Sequence, residues 1–270
     1  MDPMQSDVND QSIEYKNSKW FSMNKRIEGL VHKVNISNIQ IIAREIMNQN
    51  LISGKGLFCQ VIMKSQIEFP RLSNIYAALA AIINSQFPDV GLLLVKRVVL
   101  QFKEAYESKN KEQMEFSSKF LAHLVNQTVV YDVLAVNILL LLLGNPESDN
   151  VYVAVKFCLQ CGSSLLEFSP LIFKEVFKEF NRVLRKGAVE KRVQVLILKL
   201  FVVKRSEFKA YPGIIDELDL VEVEDQVTHE VSLLHEFDPE TCLDDFKSDL
   251  EFDELPCEGF GSMSLGVDGN

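Results

Sequence analysis

The sequence repeats one pattern, an amphipathic helical segment followed by a second one, from about residue 20 to residue 205. The segments that open each unit lie near residues 20, 54, 88, 128 and 169, at intervals of 34, 34, 40 and 41 residues. This period is typical of repeats built from two antiparallel helices, which bury their apolar stripes against neighbouring repeats. The pattern therefore predicts an all-α, HEAT-like helical-hairpin solenoid of about five repeats.

The first unit shows the helical periodicity clearly. Its apolar residues fall at i, i+3, i+4 and i+7, which places them on one side of a helix: Ile27, Leu30, Val31 and Val34. The segment from Ser37 to Gln40 fits a capping box at the start of the second helix. Pro88 and Pro170 occupy the first positions of later helices, where proline is favoured. These signals predict short turns between antiparallel helices.

Charge divides the chain into a basic body and an acidic end. Residues 15–209 carry 27 Lys and Arg against 16 Asp and Glu, whereas residues 210–270 carry one lysine against 18 acidic residues. A basic body with an acidic end suggests a body that meets something anionic or acidic. We predict four segments: a disordered leader (1–18), the helical-repeat domain (19–206), a docking extension (207–236) and an acidic flexible tail (237–270).

The residues that most often carry chemistry form no catalytic or metal-binding pattern. Cys158 and Cys161 have the spacing of a metal or redox pair, but the sequence has no second pair to complete a zinc site, so we interpret them as packed thiols. His123, between apolar residues, is interpreted as a hydrogen-bonded, semi-buried side chain, and His229 and His235 as solvated. The sequence therefore predicts no enzyme, no cofactor and no metal.

Two further features have ordinary structural explanations. Gly54-Lys55-Gly56 lacks the spacing and the final Lys-Ser or Lys-Thr of a phosphate-binding loop, and we interpret it as a turn between helices. The most apolar stretch, residues 133–143, is shorter than the roughly 20 residues that cross a membrane. It is interpreted as a buried helix, and no membrane association is expected.

Gly29, His32 and Lys33 form a candidate contact surface for another protein. Glycine inside a helix costs about 1 kcal/mol relative to alanine, which draws attention to Gly29. The three residues are spaced i, i+3 and i+4 and share a face that leans away from the apolar stripe. Bare backbone beside a histidine and a lysine would allow close approach by a partner. A glycine that is merely tolerated by packing explains the pattern equally well.

Pairs of adjacent basic residues occur at Lys96 and Arg97, Arg185 and Lys186, Lys191 and Arg192, and Lys204 and Arg205. Such cations could neutralise phosphates, and we take the first and third pairs as candidate RNA-facing residues. Solvated helix faces are at least as good an explanation. No aromatic residues alternate with these pairs to stack bases, which weakens the case for single-stranded RNA. RNA binding therefore remains the alternative function.

Several long segments resemble the nucampholin family of pre-mRNA-splicing factors, in the same order along the chain. They are residues 29–39, 76–88 and 118–127 within the repeats, and residues 218–222, 225–229 and 237–240 after them. The resemblance covers about residues 20 to 250. It implies a middle domain of the initiation factor 4G type with five helical hairpins.

The resemblance also implies a function and a location. Family members are scaffolds of the spliceosome that bind the DEAD-box ATPase of the exon junction complex, initiation factor 4A-III. They hold its two lobes apart until assembly of the complex. The expected location is the nucleus, in spliceosomes and nuclear speckles, with other spliceosome proteins as partners. The family's contact glycine and lysine match Gly29 and Lys33. His32 stands where the family usually has asparagine.

The chain also departs from the family in length. Family members usually carry a second helical domain after this one, and this sequence is expected to correspond to the middle-domain part. A truncated paralogue, a partial gene model and a natural short form are all compatible with it.

Overall fold

The computed structural model describes residues 3–187 and 189–245. Within these residues the chain forms ten α-helices: α1 (Pro3–Val31), α2 (Ile39–Met47), α3 (Leu51–Glu68), α4 (Ser73–Gln86), α5 (Pro88–Glu107), α6 (Lys111–Asn126), α7 (Asp132–Gly144), α8 (Ser148–Phe168), α9 (Pro170–Lys186) and α10 (Lys191–Arg205). Four short 3-10 helices are also present: one at Pro70–Leu72, ahead of α4, and three after α10.

The ten helices pair into five antiparallel hairpins, each made of an odd-numbered helix and the even-numbered helix that follows it. Neighbouring hairpins stack through like helices, with α1 on α3 on α5 and α2 on α4 on α6 on α8 on α10. This stacking gives each repeat the two apolar neighbours that a single amphipathic hairpin lacks. The prediction of an all-α solenoid of about five hairpins is confirmed.

One continuous apolar core runs through the stack. Its largest fully buried side chains are aromatic: Phe58, Tyr76, Phe102, Phe120, Phe157, Phe173, Phe180 and Phe208. Helix α8 is long and apolar enough to cross a membrane by length and composition alone, but 56% of its apolar window is buried inside the fold. It packs against α6, α7 and α10, which is the environment of a core helix.

Residues 207–245 form an extension that runs back along the solenoid from the fourth hairpin to the second. Near its start, the Nδ2 of Asn126 donates to the carbonyl of Gly213 at 2.8 Å. Further along, the Nδ2 of Asn84 donates to the carbonyl of Val227 at 2.6 Å. His229 contradicts the expectation of a solvated histidine. It is half-buried, its Nε2 lies 2.6 Å from Asn84 Oδ1, and its backbone forms a parallel bridge with Val130.

Arg97 fixes the end of this extension. Its guanidinium donates to the carbonyls of Pro239, Glu240 and Gly56 at 2.7, 2.9 and 3.2 Å. The same group forms an ion pair with Asp244 at 2.7 Å. The segment 237–245, expected to be flexible because of its acidity, is therefore held against α3 and α5. The remainder of the predicted tail, residues 246–270, lies outside the described residues.

Two other expectations differ from the structure. Helix α1 begins at Pro3, so residues 3–18 are helical instead of forming a disordered leader. No glycine or proline interrupts residues 4–28, which allows the helix to extend toward the N-terminus. Gly54-Lys55-Gly56 lies inside α3 and is not a turn. A Cβ on Gly56 would lie 2.3 Å from the carbonyl oxygen of Leu243, so this glycine permits close approach of the extension.

Candidate protein-binding site on the first hairpin

The end of helix α1 brings together the three residues that the sequence singles out. Gly29 lies in the last turn of α1 and not in its middle, and His32 and Lys33 follow in the turn after Val31. The backbone N–H of His32 still donates to the carbonyl of Glu28 at 3.0 Å, so the helical path continues for one more residue. His32 and Lys33 are exposed, and a Cβ added to Gly29 would meet no heavy atom within 4 Å.

The opposite side of the same turn anchors it in the core. Ile27, Val31 and Val34 are nearly fully buried, with 0, 0 and 4% of their surface exposed. Burying three aliphatic side chains of this size contributes about 1.5–3 kcal/mol each. The exposed residues are therefore presented on a well-anchored helix end.

Side-chain amides fix the loop that follows. The Nδ2 of Asn38 donates to the carbonyl of Lys33 at 2.9 Å, and Asn38 Oδ1 accepts from the backbone N–H of Asn35 at 2.7 Å. Asn38 is the N-cap of α2, but its side chain makes no capping hydrogen bond. The predicted capping box at Ser37–Gln40 is therefore wrong, because the amide that could cap α2 bonds back to the loop.

Phe69 extends the exposed cluster, although no pattern in the sequence pointed to it. This residue caps the C-terminal end of α3, is 43% exposed, and lies edge-on to the His32 ring with centroids 6.2 Å apart. A surface ion pair, Lys64 to Glu28 at 3.3 Å, joins the same two helices. We call Gly29, His32, Lys33 and Phe69 the first-hairpin patch. It combines open backbone and a positive charge with an exposed aromatic ring, and aromatic residues are enriched at protein contact sites.

The two predicted RNA-facing pairs do not form one surface. Lys96 and Arg97 lie on α5 in the third hairpin, whereas Lys191 and Arg192 open α10 in the fifth. Lys96 is half-buried, and Arg97 is 6% exposed with its guanidinium bonded to the extension. Arg97 is therefore not available to RNA in this arrangement. Lys191 and Arg192 are exposed.

The cysteine pair in α8 has the packing expected of structural thiols. Cys158 and Cys161 are free and buried, as is Cys59. Burial raises the pKa of Cys59 to about 12 and the pKa values of Cys158 and Cys161 well above their usual value, so all three are poor nucleophiles. Within residues 3–187 and 189–245, no group of three or more His, Cys, Asp or Glu residues is placed to hold a metal ion.

These features define a class: a helical-repeat module with a surface suited to protein contacts. Comparison with known protein families identifies the domain type, since residues 24–207 match the MIF4G domain model. The chain therefore belongs to the MIF4G domain family. This match begins within α1, takes in the nine helices from α2 to α10 and stops at the start of the extension.

Individual relatives share the extension as well. The chain is 40% identical over 252 residues to a pre-mRNA-splicing factor CWC22 homolog of Mus musculus, covering 93% of this chain and 28% of the relative. It is 43% identical over 252 residues to the pre-mRNA-splicing factor cwc22 of Aspergillus fumigatus, covering 93% and 29%. The chain thus spans under a third of the length of these relatives. Neither their names nor the family description denotes an enzyme, in agreement with the prediction of a non-catalytic chain.

Proposed function

We propose that this protein is a non-catalytic scaffold in pre-mRNA splicing, which binds the DEAD-box ATPase of the exon junction complex through the first-hairpin patch. The similarity to splicing factors over 93% of the chain supports the role in splicing. The corresponding location is the nucleus, within spliceosomes and nuclear speckles, among other spliceosome proteins.

The main observation in support of this binding site is the open backbone at Gly29. No side chain of the described residues fills the space next to it, although its neighbours Ile27, Leu30 and Val31 are packed in the core. A partner can therefore approach the helix backbone between His32, Lys33 and Phe69. Contacts at such a rigid position lose little conformational entropy on binding.

The mechanism is a shift of conformational populations in the ATPase. A DEAD-box ATPase closes its two lobes around ATP and RNA, and a scaffold that prefers the open form opposes this closure. The shift equals the difference in the scaffold's affinity for the two forms, so no chemistry is required of the scaffold. Release at exon junction assembly would then allow the ATPase to close.

The alternative, an RNA-binding solenoid, has less support. Its four candidate residues are divided between the third and fifth hairpins, and Arg97 is committed to the extension. Salt separates the two functions. RNA binding weakens steeply as salt rises because phosphate contacts release counterions. Binding through a shaped protein surface weakens less.

The test is a titration of the purified chain against the exon-junction ATPase, with the double variant Gly29→Tyr, Lys33→Glu. Because a Cβ at Gly29 meets nothing within 4 Å, the variant should fold normally. We expect binding to weaken at least about thirtyfold, or about 2 kcal/mol, as for residues at the centre of an interface. Circular dichroism checks that the helical content is retained.

A matched control applies the same chemistry elsewhere. Gly144→Tyr, Lys174→Glu changes a glycine with equally open surroundings and an exposed lysine on the fourth and fifth hairpins. The control should bind as the wild type does. Equal loss in both variants, or binding by neither the wild type nor the control, would contradict the proposed site.

A further inference from the structure

The outer face of the last helix, α10, exposes an apolar stripe. Val195, Leu198 and Val202 are 49, 55 and 62% exposed. Their spacing of three and four residues aligns them along one side of the helix. The opposite side, with Val193, Ile197 and Leu200, is buried against α8 and α9. The stripe therefore does not belong to the core of the fifth hairpin.

Such a stripe is unusual at the end of a helical-repeat stack. Internal repeats bury both faces against neighbours, whereas terminal repeats ordinarily present a polar outer face to water. Helix α10 stacks on α8 and α9 and has no further described helix beyond it. Aligned apolar residues on an exposed helix face indicate a docking surface.

Cations surround this stripe. Helix α10 contains five basic residues and no acidic one. Arg192 and Lys199 lie along one side of the stripe and Arg205 along the other, at 100° per residue. All three are exposed, and none forms a salt bridge among the residues that the structure describes. Lys204 differs, because its Nζ lies 3.9 Å from the centre of the Phe177 ring.

We propose that the outer face of α10 binds an acidic amphipathic helix of a partner protein. An apolar stripe with i, i+3 and i+7 spacing fits between the side chains of a second helix, and the flanking cations fit acidic residues on either side of that helix's apolar face. A second copy of the chain would bring the same cations against each other. This site is separate from the first-hairpin patch, and its occupation does not depend on the ATPase.

RNA fits the same surface less well. The middle of the face is apolar. Lys191 lies in line with the stripe at its N-terminal end, and Arg192, Lys199 and Arg205 lie along its two edges. None of the exposed side chains on α10 is aromatic, since its one aromatic residue, Phe201, packs against Phe177 with ring centroids 5.3 Å apart. Single-stranded RNA is usually bound by cations interleaved with exposed aromatic rings.

The experiment measures binding of fluorescent probes to the full chain. The main probe is a designed helix of about 18 residues, long enough to be helical, with a leucine stripe flanked by glutamates. Matched probes replace the leucines by serine or the glutamates by lysine, and a single-stranded oligouridylate represents RNA. The variants are Leu198→Asp and Lys199→Glu. Leu171→Asp is the control, because Leu171 is 80% exposed on the neighbouring α9.

We expect the acidic leucine helix to bind the wild type and the Leu171→Asp control alike. Both α10 variants should weaken this binding at least about tenfold, as loss of a central contact does. The serine and lysine probes should bind at least about tenfold more weakly than the main probe. The proposal is overturned if the main probe does not bind, if Leu198→Asp leaves its affinity unchanged, or if only oligouridylate binds this face.

Discussion

Replacing Arg97 by methionine should release the end of the extension while leaving the ten helices in place. Methionine keeps much of the length and apolar stem of arginine but cannot donate hydrogen bonds. The variant loses donors to the carbonyls of Pro239, Glu240 and Gly56 and the ion pair with Asp244. The variant keeps the ion pair between Lys55 and Glu240 at 3.1 Å, which holds the same segment.

The structure sets the size of the effect. The side chains of Arg97 and Asp244 are only 5 and 18% exposed, so their ion pair is largely desolvated. Removing one member of a buried pair costs about 3–5 kcal/mol. The freed carboxylate and carbonyls can reach water once the segment opens, which keeps the loss near the lower value. A loss of about 3 kcal/mol raises the population of the open segment roughly a hundredfold.

Hydrogen–deuterium exchange followed by mass spectrometry measures this opening. Peptides covering residues 235–245 should exchange much faster in Arg97→Met, whereas peptides from α4, α6 and α8 should not change. Lys96→Met is the control, because this neighbouring lysine is half-buried and makes none of these contacts. Unchanged protection of residues 239–244 in Arg97→Met would refute the assignment of Arg97 as the anchor.

Three further predictions concern packing and protonation. Gly162→Ala should lower the free energy of unfolding, measured in urea, by about 1–3 kcal/mol, because the added Cβ would lie 2.3 Å from the Phe208 ring. Gly144→Ala is the control and should have no such effect, since nothing lies within 4 Å of its Cβ. Equal effects of the two substitutions would contradict this prediction. Burial lowers the pKa of His123 from 6.5 to about 3, so the folded state excludes a proton that the unfolded chain binds. The free energy of unfolding should therefore fall as the pH decreases from about 6 to 4. His123→Gln should reduce the pH dependence of this free energy by up to about 1.4 kcal/mol per pH unit. An unchanged pH dependence would refute the claim that His123 stays neutral in the folded state. In a Cys242→Ser, Cys257→Ser background, Ellman's reagent should detect the three buried thiols only after denaturation, and rapid labelling of the native protein would contradict their burial.

The sequence was sufficient to predict the stack of hairpins because that information is local. Apolar residues at helical spacing mark each buried face, and Pro88 and Pro170 occupy the predicted first positions of α5 and α9. The repeat period then determines which faces must meet. Helix ends were less predictable, as the continuation of α3 through Gly54 and Gly56 shows. The role of these two glycines depends on which distant residues pack against them, and the local sequence pattern carries no information about those residues.

A docking extension after the repeats was expected from the sequence, but its contacts with the solenoid could not be predicted, for the same reason. Arg97 bonds to residues 142 and 143 positions away in the sequence, and beside Lys96 it resembles an ordinary surface pair. The side chain of His229 contacts that of Asn84, which lies 145 residues earlier in the sequence. Phe69 joins the first-hairpin patch only because α3 ends beside the last turn of α1. Contacts between distant segments decide these residues' environments, and charge patterning alone predicted the opposite for Arg97.

Hydrogen exchange of the chain, free and mixed with the exon-junction DEAD-box ATPase, tests the central proposal most directly because it locates the contact. We expect slower exchange on binding in residues 28–38 and near Phe69, with α7 to α10 unchanged. Loss of this protection in Gly29→Tyr, Lys33→Glu would link it to the first-hairpin patch. Protection confined to other helices, or no protection at saturating ATPase, would contradict the proposed function.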